Sequence, residues 1–236
     1  MRRSLTLICM LALLTVTSYS QTIHLDDNSD WWSINRGEPS RPSAKATNGN
    51  LQADNFEIAG ITLGRGGSDA ITTELGTATS VKRGDASAGR SQLCYRLGHD
   101  GTEHLVFEFG EDESVVYIFS GGEPWSGEKF CVSSEKALIG LGTVSGLRIG
   151  LPRSEVEKIL GRPDAEDADS LVYSQQFEQK STPQEFEVLR RDYPEKLSDE
   201  EAHKRFDYYP VEQYVLAKFA SSKLVYLAIS ISGEGD

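Results

Sequence analysis

Two histidines, His99 and His104, bracket Asp100-Gly101 in the stretch His-Asp-Gly-Thr-Glu-His, and imidazoles so placed could begin a metal clip. Zinc sites want three or four ligands. Only His24 and His203 remain elsewhere in the chain, and Asp-Gly between two alternating runs is a hairpin-turn signal that explains the segment without a metal. Two glycine-rich stretches fare no better as phosphate cradles. Gly140-Leu-Gly142-Thr-Val-Ser-Gly146 puts its third glycine one residue too late for a dinucleotide loop, and Gly64-Arg-Gly66-Gly67 lacks the Gly-Lys-Ser/Thr that a phosphate loop needs. No Gly-x-Ser-x-Gly elbow occurs. Paired acids at Glu111-Asp112-Glu113 and Asp199-Glu200-Glu201 read as a hairpin turn and a helix's first turn, where negative charge suits solvent and the helix dipole. The residues therefore imply no cofactor, no metal and no catalytic constellation.

The cysteines point to a different chemistry. Arg2 and Arg3, an apolar run from Leu5 to Val16 and Ser18-Tyr19-Ser20 before Gln21 together read as a secretory leader, 1–20, too short in its apolar core to span a bilayer. Cys9 falls inside that leader and follows Ile8, which is too bulky for a lipoprotein cleavage site. Cys94 and Cys131 remain, and an even pair in an exported chain is expected to be a disulfide. The absence of an Asn-x-Ser/Thr sequon suits a bacterial route. With 36 acidic residues against 24 basic ones, the chain carries a net charge of -12 and repels phosphate backbones and anionic membranes. Nucleic acid and stable membrane insertion are thereby excluded as expectations, and the location expected is periplasmic or extracellular.

The elements that would position any site come in pairs. Gly60-Ile-Thr-Leu-Gly64 recurs as Gly146-Leu-Arg-Ile-Gly150, and each is followed by a helical stretch closing on Leu75-Gly76 or Leu160-Gly161. In the second copy Val156, Ile159 and Leu160 make one apolar stripe, with Gly161 and Pro163 as the stop. The first copy has Glu74 where the second has Ile159. A strand about Tyr95 or Tyr173 follows, then a hairpin, His104–Phe109 with Val115–Phe119 or Tyr214–Phe219 with Leu224–Ile231. The fold expected is α+β: two tandem repeats, each a short helical element packed on an antiparallel sheet. The boundaries are a polar linker arm 21–56 containing Trp31 and Trp32, repeat 1 over 57–122, a connection 123–136, and repeat 2 over 137–233. An insertion, 177–212, carries two capping boxes, Thr182-Pro-Gln-Glu185 and Ser198-Asp-Glu-Glu201, and should hold two short helices.

The run Gly146-Leu-Arg-Ile-Gly-Leu-Pro-Arg-Ser-Glu-Val-Glu-Lys-Ile-Leu-Gly-Arg-Pro163, with Tyr173 and a closing hairpin, resembles the BamE (SmpA/OmlA) outer-membrane assembly proteins, and the tandem arrangement resembles the β-lactamase inhibitory protein. The resemblance is specific at Gly150, Val156, Leu160, Gly161 and Pro163. It implies a helix-loop-helix laid on an antiparallel sheet and a protein that binds other proteins without catalysis. The chain departs from the pattern at Pro152, where a capping Ser or Thr is expected, in an extra residue within Arg65-Gly-Gly-Ser68, and in lacking the lipid-bearing cysteine.

The function expected is a non-enzymatic, exported protein-binding module. The rivals are a periplasmic hydrolase with acids in the groove between repeats and a passive envelope or matrix component. Strand alternation assigns Val215, Ala217, Phe219, Val225, Leu227, Ile229 and Ile231 to the helix-covered face, with Leu105, Phe107, Phe109, Val116 and Ile118. That leaves Tyr117 and Tyr226 at matching exposed sites, with Tyr214 and Lys218 extending a partner-binding patch and the insertion, through Tyr193, Tyr208 and Tyr209, forming its rim.

Overall fold

In the computed structural model, residues 22–25, 51–65, 67–83, 89–97, 102–110, 113–120, 126–134, 136, 141–193 and 196–233 are described. The leader, Trp31 and Trp32, His99, Asp100, Gly101, Glu111, Asp112 and Gly140 lie outside them. The chain is α+β. Its strands are β1 (Thr22–Leu25), β2 (Glu57–Ile58), β3 (Ile61–Thr62), β4 (Ser80–Arg83), β5 (Arg90–Leu97), β6 (Glu103–Phe109), β7 (Glu113–Ser120), β8 (Val132–Ser133), β9 (Ala165–Glu166), β10 (Ser170–Lys180), β11 (Tyr208–Ala220) and β12 (Lys223–Gly233). Its helices are α1 (Ser68–Leu75), α2 (Arg153–Leu160), α3 (Pro183–Asp192) and α4 (Asp199–Phe206).

Ten strands share one sheet in the order β1-β4-β5-β6-β7-β12-β11-β10-β9, with β8 beside β5; β2 and β3 form a separate hairpin. Pairing is antiparallel except for β1 with β4 and β8 with β5. At the centre β7 pairs β12 through seven residues, from Tyr226 opposite Phe119 to Ser232 opposite Glu113. The helix, short strand and three-strand meander of 68–120 are thus followed, across that central seam, by the same kinds of element in 153–233.

Both α1 and α2 lie on one continuous core. Ile71 and Leu75 of α1 and Val156 and Leu160 of α2 are buried with Leu105, Phe107, Val116, Ile118, Val215, Ala217, Leu227 and Ile229. Each such side chain contributes roughly 1.5 to 3 kcal/mol on burial. Ile159 packs at the margin of this core, so the stripe of α2 is the wider one. Neither helix has a side-chain cap, since Gly67 and Pro152 occupy the positions where a hydroxyl would sit. Arg153 cannot replace that acceptor, but it donates to Glu157 at 3.1 Å, to the Asp167 carbonyl at 2.8 Å and to Glu166 at 2.5 Å, which ties the first turn of α2 to the strand turn after it.

Three sequence expectations shift. Alternation fails at Val225: a bulge between Lys218 and Phe219 pairs Lys218 with Tyr226 and Phe219 with Leu224, so Leu224 rather than Val225 joins the helix-side core. A bulge adds a residue to one strand and resets its phase. The stretch 51–56, placed in the polar arm, is built into the body, with Leu51 and Phe56 buried and Asn55 donating from Nδ2 to Ser145 Oγ at 2.7 Å. The insertion is narrower than 177–212, because β10 and β11 run on as a paired arm to Lys180 and Tyr208 before α3 and α4 begin.

Both expected capping boxes form. Thr182 and Ser198 each accept from the amide three residues on, and Glu185 and Glu201 reach back. The α3–α4 pair has its own small core of Phe186, Ala202 and Phe206, edged by Leu189, Tyr193 and Leu197.

Candidate functional site

An open cleft of about 630 Å³ lies where the ends of β7, β11 and β12 meet α3. Ser114, Val211, Ile231 and Gly233 come from the strands, while Thr182, Glu185, Val188 and Leu189 come from the helix and its entry. Leu63, Gly64 and Arg65 close another side. Gly64 has φ of +75° and lies so close to the sheet that a Cβ would sit 3.1 Å from Ile231 Cγ2. Only a residue without a side chain allows both that backbone and that approach. Tyr209 is fixed against the cleft by Gln179, whose Nε2 donates to its hydroxyl at 2.6 Å. Burial raises the Tyr209 pKa above the ordinary phenol value, and Glu185 adds to this while Arg65 and the Gln179 bond oppose it.

The cleft pairs apolar side chains with polar ones. Val188 is 39% exposed, a large aliphatic side chain offered to solvent. Its carboxylates are already engaged. Glu185 accepts the Thr182 amide at 2.6 Å, and Glu113 faces Arg90 at 3.4 Å. No histidine, lysine or cysteine occurs among its described lining residues. Among the described residues, the carboxylates whose pKa values move, Asp167, Asp192 and Glu201, all move down through hydrogen bonds, and none of them lines the cleft.

The patch expected from alternation is placed differently. Tyr117 and Tyr214 are buried, at 2% and 3% exposure, and Tyr226 and Lys218 are half-buried. They belong to or border a second apolar cluster on the other side of the sheet, with Val81, Cys94, Val106, Val115, Cys131, Val172, Leu216 and Ala228. The physical reason was visible in the strands themselves: Leu105-Val-Phe107, Val115-Val-Tyr-Ile118 and Val215-Leu-Ala217 are continuous apolar runs, the pattern of strands covered on both faces. Tyr226 tilts toward Tyr117 at 6.3 Å and lies under Lys218 Nζ at 5.0 Å. Its ladder partner Lys218 stands where the first half has Glu108 opposite Val115, so Tyr226 matches Val115 and not Tyr117. Of the expected rim, Tyr209 lines the cleft, Tyr208, at 54%, is exposed, and Tyr193 packs at the edge of the small α3–α4 core. Arg65, Gln179 and Val188 were not singled out from sequence. The capping box that starts α3 was the available signal, since it fixes where that helix begins.

The second cluster also holds the disulfide. Cys94 and Cys131 are bonded, with alpha carbons 4.5 Å apart, as the cysteine count implied. The bond sits where the outer edge of β5 passes from β4, which covers Arg90 to Leu93, to β8, which covers Tyr95 and Arg96. Nearby, Glu108 is buried and receives Arg90 at 2.6 Å and Gln92 at 2.5 Å. Burial alone would lower the Arg90 pKa, yet its bond to Glu108 and the charges of Glu108 and Glu113 hold it above the ordinary value. His104 stacks on Phe119 at 5.0 Å with Glu128 3.8 Å away, while His203 stacks on Phe186 and meets Asp207 at 2.9 Å. Among the described residues no three His, Cys, Asp or Glu side chains gather as a metal site, and no helix is long and apolar enough to cross a membrane.

No protein-family model matches the chain, and neither curated proteins nor solved structures yield a match.

Proposed function

We propose that the chain is an exported, non-enzymatic protein-binding module made of two tandem copies of one helix-on-sheet unit, the organisation its resemblance to BamE-like proteins and the β-lactamase inhibitory protein implies. Several independent details support the duplication. Left-handed glycines recur in step, Gly60, Gly64 and Gly76 answering Gly146, Gly150 and Gly161. Tyr95 donates its hydroxyl to the Gly76 carbonyl at 2.8 Å, and Tyr173 donates to that of Gly161 at 3.3 Å. Tyr95 also opposes Leu105 as Tyr173 opposes Val215, in agreement with Phe109 answering Phe219. Export is supported by the leader-like first 20 residues and by the buried Cys94–Cys131 disulfide, which suits an oxidising compartment.

The observation that carries the binding reading is the cleft between the strand ends and α3, where exposed Val188, tethered Tyr209 and the flanking Arg65 and Gln179 form an apolar floor with a polar rim. The hydrolase reading wants a pair of free carboxylates, and Glu113 and Glu185 are occupied by Arg90 and the α3 cap. The partner is a protein that inserts an apolar side chain beside Val188 and Tyr209. A photo-crosslinking residue at Val188, in the chain expressed in its own cells, is expected to give one discrete protein adduct that Tyr209→Ala suppresses. Adducts indistinguishable from those at exposed Lys158 would sink the reading, as would peptide or glycoside hydrolysis abolished by Glu113→Gln. Export is tested separately, by an N-terminus at Gln21 in the recovered protein.

A further inference from the structure

Among the described residues, the strand β10 is a bare edge for half its length. On its outer side β9 covers only Leu171 and Val172, and Asp164 Oδ2 takes the Ser174 amide at 2.6 Å. Beyond that point the backbone phase is fixed twice over. The Val172 carbonyl accepts from the Asp164 amide on the outer side at 2.8 Å, and Glu178 stands opposite Pro210, which has no N–H to give to the ladder. Antiparallel neighbours alternate between exchanging both bonds and none, so Gln176, Glu178 and Lys180 turn their N–H and C=O groups away from β11. Among the described residues nothing on the outer side hydrogen-bonds to those backbone groups. Their side chains are exposed as well. At the opposite end β8 and β4 cover β5 and β1 covers β4, so the edge there is the four-residue strand β1.

We propose that this edge pairs with the same edge of a second copy, antiparallel about a two-fold axis at Phe177. An unpaired row of donors and acceptors is a template for another strand, and a two-fold contact requires a self-complementary edge. Only outward residues can face outward residues, which restricts the register to a few choices. Centring on Glu178 would set Glu178 against its own copy, a like-charge pair. Centring on Gln176 would place Lys180 at Val172, whose outer side β9 already holds. Centring on Phe177 sets Gln176 against Glu178 of the second copy, an amide against a carboxylate, and forms two reciprocal backbone bonds for each such pair. Lys180 then arrives opposite Ser174, beside the Asp164 carboxylate, at both ends of the contact. Phe177 meets its own copy at the axis in a closely spaced pair, an arrangement in which aromatic side chains interact well. Glu178 and Lys180, charges of the kind that commonly guard an edge, are therefore compatible with this pairing, while a register centred on Gln179, which would set Glu178 against Lys180, runs off the strand because β10 ends at Lys180 and the Ser181 amide is held by the Asp207 carbonyl.

The purified full chain, with the Cys94–Cys131 bond intact, is expected to sediment as a concentration-dependent dimer in analytical ultracentrifugation. Glu178→Pro deletes an outward N–H and leaves the β11 ladder untouched. It removes one bond from each copy and should weaken the dimer about ten- to thirty-fold. Because proline can also unsettle a strand, the register is tested independently by cysteine pairing under mild oxidation. Phe177→Cys should crosslink to itself, whereas Gln175→Cys and Gln179→Cys should crosslink only when mixed. A chain that stays monomeric up to about 1 mM, a dimer unaffected by Glu178→Pro, or equal self-crosslinking at positions 175, 177 and 179 would each overturn the proposal.

Discussion

Single hydroxyls and one imidazole carry much of what distinguishes this core from a purely apolar one. Tyr95 and Tyr173 are wholly buried, yet each keeps its oxygen on the carbonyl of a helix-ending glycine, and burial drives both phenols well above the ordinary pKa. Removing such a donor strands the carbonyl, so Tyr95→Phe is expected to cost about 1 to 1.5 kcal/mol in urea unfolding. Tyr173→Phe, whose bond is longer at 3.3 Å, should cost about half as much. An equal or reversed ranking would show that the hydroxyls do not act through these bonds. His104 sets a pH dependence. Burial lowers its pKa, with Glu128 opposing and Arg96 reinforcing the shift. The unfolded chain therefore takes up a proton that the folded chain refuses, so this contribution is present above the unfolded value near pH 6.5 and is lost as pH falls below it. Unfolding midpoints measured at about pH 5 and about pH 7.5 should differ less in His104→Phe, which keeps the stack on Phe119, than in the parent.

Elements were legible in the sequence to the extent that local chemistry fixed them. The capping boxes at Thr182 and Ser198, the glycine stop at Gly161 and the hairpin of β11 with β12 all follow from residues within a few positions of one another. What escaped was non-local: the bulge that drops Val225 from the ladder, the second apolar cluster that takes in Tyr117 and Tyr214, and the meeting of Arg65 with α3 across the cleft. The insertion shows how an element can be locally well specified and globally loose. Its helices share only a small core and reach the body chiefly through the β10–β11 arm. Replacing both caps, Thr182→Ala with Ser198→Ala, should cost about 1 kcal/mol per helix and appear as faster amide exchange confined to 183–206, with the main unfolding transition unmoved. Uniformly faster exchange across β6 and β7 would refute that independence. The disulfide is the contrasting case. It closes a separation of 37 residues from β5 to the segment entering β8, and Cys94→Ala with Cys131→Ala should lower global stability by about 3 to 4 kcal/mol on the loop-entropy account.

At the scale of the whole molecule, the two halves are joined too thoroughly to be separate folding units. Seven residue pairs link β7 to β12, and the helix-side core runs without interruption from Ile71 under α1 to Leu160 under α2. The β2–β3 hairpin of the first half and the turn before it are also bonded to the segment before α2, with the Val144 amide on the Glu57 carbonyl and the Ser145 amide on that of Asp54, at 2.9 and 3.1 Å. A half cut at the seam would expose an edge strand lined by Val116 and Ile118, or by Leu227 and Ile229, all fully buried in the intact sheet. Residues 57–122 or 137–233 expressed alone should therefore fail to show a cooperative transition, while the intact chain unfolds once, with probes in either half reporting the same midpoint. Ile229 opposes Val116 across the seam, so Ile229→Ala should cost about 2 to 5 kcal/mol and lower both midpoints together. If hydrogen exchange at graded urea found β5 and β6 opening well before β10 and β11 in that variant, the halves would be coupled only loosely. A shared core makes that outcome physically difficult, because Ile229 belongs to the one apolar cluster that takes in strands on both sides of the β7–β12 seam.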